Sequence, residues 1–144
     1  MKKIFAICLL MVLSVTNAQT FRIVNGAGNF KSTVNHAVTD TITNATTMYQ
    51  YAIIDGYNDI VVVQPTFTKI SGTAAATVKL QGSVNGTSYN DIGSSYTVTN
   101  TATQSTSWIV TPSSYKYYRL EIVPTGTQSV KVVTPVIVRN KPVR

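Results

Sequence analysis

The chain has 144 residues, with twelve Lys and Arg against five Asp and Glu, for a formal net charge of +7 at neutral pH. One histidine, one cysteine and five carboxylates leave little with which to hold zinc, form a disulfide or assemble a nucleophile and its base. Apart from the adjacent Lys2 and Lys3, most of the cations stand singly along the chain, and only Arg139, Lys141 and Arg144 cluster. A nucleic-acid surface gathers its cations on one face with aromatic readers between them, so no nucleic-acid partner is expected.

The chain opens on Lys2-Lys3, followed by an apolar run from Ile4 to Val15 and then Thr16-Asn17-Ala18 before Gln19. This is the pattern of a secretory signal peptide over residues 1–18, and its core is too short for a permanent bilayer anchor. Cys8 falls inside that leader. Ile7 precedes it where a lipoprotein signal needs a small residue, so the mature chain is expected to carry no cysteine. No other apolar run approaches the roughly 20 residues of a membrane helix. Export to the periplasm, the cell surface or the medium is the expected location, with a virion surface as the alternative.

Residues 19–36, with Gly26 and Gly28, are expected to form an irregular N-terminal arm ending at His36. A lone histidine there suits packing or the surface better than catalysis. From residue 37 to 139 the sequence repeats with a period of two, the signature of strands. Strands are expected over residues 38–43 and 48–54, although Asp40 shares the parity of Val38 and Ile42 and so demands a bulge or a wet face there. Ile60-Val61-Val62-Val63 is apolar on both faces and predicts a central strand. Ala76, Val78 and Leu80 alternate with Thr77, Lys79 and Gln81. Tyr96 and Val98 alternate with Thr97 and Thr99, and Trp108 and Val110 flank Ile109. Tyr118, Leu120 and Ile122 alternate with Arg119 and Glu121, which share the wetter side. Pro65 and Pro135 have no N–H to give a ladder, so they predict bulges, strand ends or edges. Asp55-Gly56 and Asn85-Gly86 suit turns that need positive φ. About eight strands at this spacing predict an all-β domain over residues 37–139, an antiparallel β-sandwich or jelly roll, followed by a basic tail over 140–144.

Candidate chemistry is sparse. Asp55, Asn58 and Asp59 could form an oxygen cage for calcium, but they match no full calcium loop, and a backbone-capping turn is the favoured reading. No metal or cofactor is expected. Two acids flanking a sugar bond would suit a glycosidase, and Asp55, Asp59 and Glu121 are the residues available; no enzyme is nonetheless expected. Trp108 and Tyr118 share parity with aliphatic neighbours and belong to the core. Tyr57, Tyr89 and Tyr117 are the candidate ligand-binding rings, able to stack on sugar faces.

The run Val78-Lys79-Leu80-Gln81-Gly82-Ser83-Val84-Asn85-Gly86-Thr87-Ser88-Tyr89-Asn90-Asp91-Ile92-Gly93 resembles a strand, turn and stop common in bacteriophage virion proteins of decoration, fibre or tail-associated type. Tyr115-Lys116-Tyr117-Tyr118-Arg119-Leu120 with Thr125-Gly126-Thr127-Gln128-Ser129 is similar to the later part of that pattern, as is Asp55-Gly56-Tyr57 before Ile60. The resemblance implies a β-sandwich made for packing and surface contact, and the leader departs from it. The leading expectation is therefore a non-catalytic structural or surface-attachment protein that pairs with copies of itself or with other surface proteins. The alternative is a secreted carbohydrate-binding module using Tyr57, Tyr89 and Tyr117.

Overall fold

The computed structural model describes residues 19–24, 36–43, 46–55 and 59–139, so the expected leader and the expected basic tail lie outside the described residues. Its strands are β1 (Gln19–Val24), β2 (His36–Thr43), β3 (Met48–Asp55), β4 (Ile60–Val63), β5 (Thr66–Gly72), β6 (Ala76–Ser83), β7 (Asn90–Val98), β8 (Thr103–Ser105), β9 (Trp108–Val110), β10 (Tyr117–Pro124) and β11 (Gln128–Arg139). No helix is present among the described residues.

Alternation along each strand becomes alternation between inside and outside. On β6, Ala76, Val78 and Leu80 are buried while Thr77 and Lys79 are half-exposed. On β10, Tyr118, Leu120 and Ile122 are buried and Arg119 and Glu121 look outward. On β9, Trp108 and Val110 enter the core and leave Ile109 66% exposed. Each fully buried aliphatic or aromatic side chain contributes roughly 1.5–3 kcal/mol, so these inward faces drive the two sheets together.

The first sheet runs in the order β1, β3, β10, β6, β7, with β1 parallel to β3 and the remaining neighbours antiparallel. In the second sheet β11 pairs with β2 on one side. On the other side it pairs with β5 along its first half and β4 along its second, in one register from Val130 to Arg139 after a shift between Ser129 and Val130. Likewise β9 lies against β4 and β8 against β5. The second sheet is thus four chain passes wide: β2, β11, the β4 and β5 pass, and the β8 and β9 pass.

Two prolines explain why two of those passes are broken. In an antiparallel ladder a hydrogen-bonded pair exchanges two bonds. Gln64 N–H donates to the Pro135 carbonyl at 3.1 Å, but Pro135 has no N–H to return. Thr106 N–H donates to the Pro65 carbonyl at 3.2 Å, and Pro65 again returns nothing. Each pair keeps half its bonding, and each interrupts regular strand structure. Pro65 therefore marks a strand end, as expected. Pro135 does not: it sits inside β11, a strand flanked on both sides.

The chain crosses between the sheets at every connection but one, the β6 to β7 hairpin, and this gives the jelly-roll order of two four-strand sheets, with β1 added at one edge. The β-sandwich expectation is met. Two details differ. Gln19–Val24 is a strand where an irregular arm was expected, because Phe21, Ile23 and Val24 are strand formers placed beside an open edge of β3. His36 opens β2 instead of closing that arm. Asp40 pairs with Val132 in a register that runs without a bulge from Thr43 to His36. The expected central position of β4 holds, between β11 and β9, although Ile60 and Val62 remain half-exposed on its outer side. One polar pair bridges the sheets inside the core, where the Thr134 hydroxyl donates to Gln50 Oε1 at 2.6 Å.

Candidate functional site

The outer face of the first sheet carries the densest set of functional groups. Direct cross-strand partners have Cβ atoms about 5 Å apart, so register decides which side chains meet. Arg119 on β10 lies opposite Tyr51 on β3 and Gln81 on β6, and Gln81 lies opposite Asp91 on β7. One step along, Glu121 lies opposite Tyr49 and Lys79. Four strands thus contribute two adjoining rows of aromatic, amide and charged groups.

Gln81 is the hub, 7% exposed although it sits on the outer face. Its amide nitrogen donates to Asp91 Oδ1 at 2.6 Å and Glu121 Oε2 at 3.3 Å, and its oxygen accepts from Arg119 Nε at 2.7 Å. Lys79 Nζ donates to the other Asp91 oxygen at 2.8 Å. The Tyr49 hydroxyl donates to Glu121 Oε1 at 3.2 Å. The Arg119 guanidinium carbon lies 4.6 Å from the Tyr49 ring centroid and 3.9 Å from that of Tyr89. Tyr51 completes the group, tilted against Tyr49 at 6.1 Å and edge-on to Tyr89 at 6.3 Å. These separations fall within the range of favourable ring pairing and of cation–π attraction.

Tyr89 comes from the loop between β6 and β7, and local hydrogen bonds shape that loop. Ser83 Oγ accepts from the N–H groups of Asn85 and Gly86, while Asn85 Oδ1 accepts from those of Thr87 and Ser88. Gly86 takes a φ of +75° beside the Tyr117 ring, a backbone conformation in which a side chain would be strained. The expected turn residues are thus used, inside a loop longer than a two-residue hairpin.

The electrostatics follow from these contacts. The hydrogen bond from Lys79, reinforced by that from Gln81, holds the Asp91 carboxyl below its ordinary range. Asp91 in turn raises Lys79. Burial pushes the Tyr89 phenol up, and burial together with the bond to Glu121 pushes up Tyr49, so both rings keep their protons well past neutrality.

Of the expected ligand rings, Tyr89 and Tyr117 reach this face, whereas Tyr57 lies outside the described residues, as does Asn58 of the calcium candidates. Asp55 ends β3 opposite Val24 of β1. Asp59 donates its N–H to the Arg139 carbonyl and accepts at its own carbonyl from Ser113 N–H. Among the described residues no group of three or more His, Cys, Asp or Glu is placed to hold a metal. Glu121 belongs to the outer network of the first sheet, whereas Asp59 immediately precedes β4 of the second. Trp108 and Tyr118 are core residues as expected; Trp108 Nε1 donates to the Ser94 carbonyl at 3.0 Å, and the Tyr118 hydroxyl shares a bond with Ser113 Oγ at 2.7 Å.

Tyr49, Tyr51, Gln81 and Arg119 were not among the candidates. One signal for them was present. Tyr49 and Tyr51 are two apart on a strand and so share a face, as do Arg119 and Glu121. What the sequence does not display is that β10 lies between β3 and β6.

No protein-family model matches the sequence, and no curated protein matches it. Among solved structures, the fold is similar to that of the Yersinia pseudotuberculosis-derived mitogen, with a TM-score of 0.51 and 12% identity over 75% of this chain and 88% of that one. A CBM22-1 xylan-binding domain from Paenibacillus barcinonensis Xyn10C gives a TM-score of 0.40 at 11% identity, over 60% of this chain and 59% of that one. The CBM22-1-CBM22-2 tandem of the same enzyme gives 0.44 at 10%, over 75% of this chain and 41% of that one. At such identity the likeness to the mitogen is one of fold alone. The two lower-scoring matches add nothing to it, and none of the three is a virion protein.

Proposed function

We propose that the protein is a non-catalytic carbohydrate-binding β-sandwich that presents the face formed by Tyr49, Tyr51, Tyr89 and Tyr117 to a glycan. One observation carries the reading: four half-exposed tyrosine rings are gathered on one sheet face, and two of them are clamped on a guanidinium. Sugar rings offer C–H faces that stack on aromatic surfaces and hydroxyls that bond to amides and charged groups at their edges. Rings already held in place lose little freedom on binding, which favours affinity. Glycoside hydrolysis needs one carboxyl kept protonated, and Asp91 is driven the other way.

Affinity electrophoresis through gels containing soluble polysaccharides, neutral and acidic, tests the reading. Retardation by at least one is expected, and Tyr51→Ala with Tyr89→Ala should weaken it by about 10-fold or more, as loss of central aromatic contacts does. No retardation by any polysaccharide, or retardation unchanged in the double variant, overturns it.

A second reading, a self-associating structural or surface-attachment protein akin to virion decoration proteins, is favoured by the opposite face of the molecule. There Ile109 lies opposite Val62, and Val62 opposite Ile137, making an outward apolar row across three strands. Analytical sedimentation should then show an oligomer that Ile109→Lys dissociates; a strict monomer at high concentration removes the reading. Both readings place the protein outside the cytoplasm, and a native product beginning at Gln19 by mass spectrometry is the expected result.

A further inference from the structure

We infer that Arg119 is the seat of an anionic group on the bound glycan, a carboxylate or a sulfate ester, so that the ligand is an acidic polysaccharide. The inference rests on the glycan-binding reading above and narrows it.

Arg119 is held in an unusual way. Its Nε–H is used by Gln81 Oε1 at 2.7 Å, which sets the plane of the guanidinium. The rings of Tyr49 and Tyr89 lie against it, at 4.6 and 3.9 Å. Its two terminal nitrogens make no hydrogen bond among the described residues, and the group remains half-exposed. The occupied donor and the stacked rings therefore leave the outer edge of the fork as its open side.

Two acids stand in the same network, and neither is bonded to this cation, although Arg119 acts through space to help keep Asp91 ionised. Asp91 is occupied by Lys79 and Gln81, and Glu121 by the Tyr49 hydroxyl and Gln81. Among the described residues Arg119 forms no ion pair. Glu121 lies two residues away on the same strand face, an obvious partner that the network turns elsewhere. A half-exposed guanidinium with no carboxylate bonded to it gains a charge-assisted partner when an anion arrives. The free fork edge suits the two oxygens of a carboxylate or sulfate, which a planar guanidinium binds through parallel N–H···O bonds. A neutral sugar hydroxyl would bond to the same edge without compensating the charge. Tyr51 and Tyr117 lie within reach of the sugar ring that carries the group.

Isothermal titration with polygalacturonate, its fully methyl-esterified form, dextran sulfate and neutral xylan tests this. Polygalacturonate or dextran sulfate should bind at least 10-fold more tightly than xylan, and the stronger of the two identifies the anion. If the anion is a carboxylate, esterification should remove the advantage with the protein untouched. Arg119→Gln should abolish the preference for the acidic polymer, and Arg119→Lys, which keeps the charge and loses the fork, should reduce it, each variant first checked for an unchanged thermal midpoint. Equal affinity for xylan and the acidic polymers, or an acidic preference that survives Arg119→Gln, overturns the inference and leaves the glycan reading standing. Binding of none of the four overturns both.

Discussion

Gln81 shows how one side chain can organise a surface. Its amide has one acceptor and two donors, and all three are engaged, by Arg119, Asp91 and Glu121. A hub of this kind converts three flexible charged side chains into a fixed arrangement. Its acid dependence has a definite sign. Asp91 is held below its unfolded value, so the folded protein holds fewer protons there, and its contribution is present above the ordinary aspartate range and lost as pH falls through the depressed value. The thermal midpoint of the protein should therefore exceed that of Asp91→Asn at neutral pH, and the gap should close between about pH 5 and pH 2. Because Asp91 is exposed, the gap should be small and should shrink in high salt. A gap that widens on acidification would contradict the assignment. Thr134 makes a second case at this scale: Thr134→Val leaves buried Gln50 without its hydroxyl donor and should cost about 1–3 kcal/mol in denaturant unfolding.

At the scale of elements, the position of a strand in its sheet sets both its order and its use. β10 is bonded on both sides, to β3 and β6, and it carries Arg119 and Glu121 outward and Tyr118, Leu120 and Ile122 inward. Among the described residues β1 is bonded on one side only. Native-state hydrogen exchange should accordingly protect the amides of Leu120 and Ile122 far more than those of Phe21 and Ile23. Similar protection in both strands would mean that the edge is covered. The period-two pattern of β6, β9 and β10 was legible because alternation is local: adjacent side chains leave a pleated backbone on opposite sides whatever the neighbours are. The interruption of the second sheet was half legible. Pro65 and Pro135 were identifiable as residues that return no ladder bond, but a break appears only where the missing bond meets Gln64 or Thr106, and that depends on the pairing.

For the whole molecule, the two sheets share one core, with residues from β2, β4, β5, β9 and β11 packed against those of β3, β6, β7 and β10. Neither sheet can keep its inner face buried alone. Unfolding should therefore be a single transition, with far-ultraviolet and near-ultraviolet circular dichroism changing at one denaturant midpoint, and Ile122→Ala should lower both midpoints together by about 2–5 kcal/mol of stability. Separate midpoints would divide the sandwich into independent layers.

What the chain alone determined is the class of structure and the inward or outward side of most strand residues, since both depend on the spacing of apolar groups over a few positions. Tyr117 was also readable as a candidate for an exposed ring, from its charged neighbours Lys116 and Arg119. Only the tertiary structure decided that Tyr49, Tyr51, Gln81 and Arg119 form one site. Arg119 is separated from Gln81 by 38 positions and from Tyr51 by 68, and no local pattern specifies which strands lie side by side. That choice belongs to the burial of the entire core, to which strands of both sheets contribute at once.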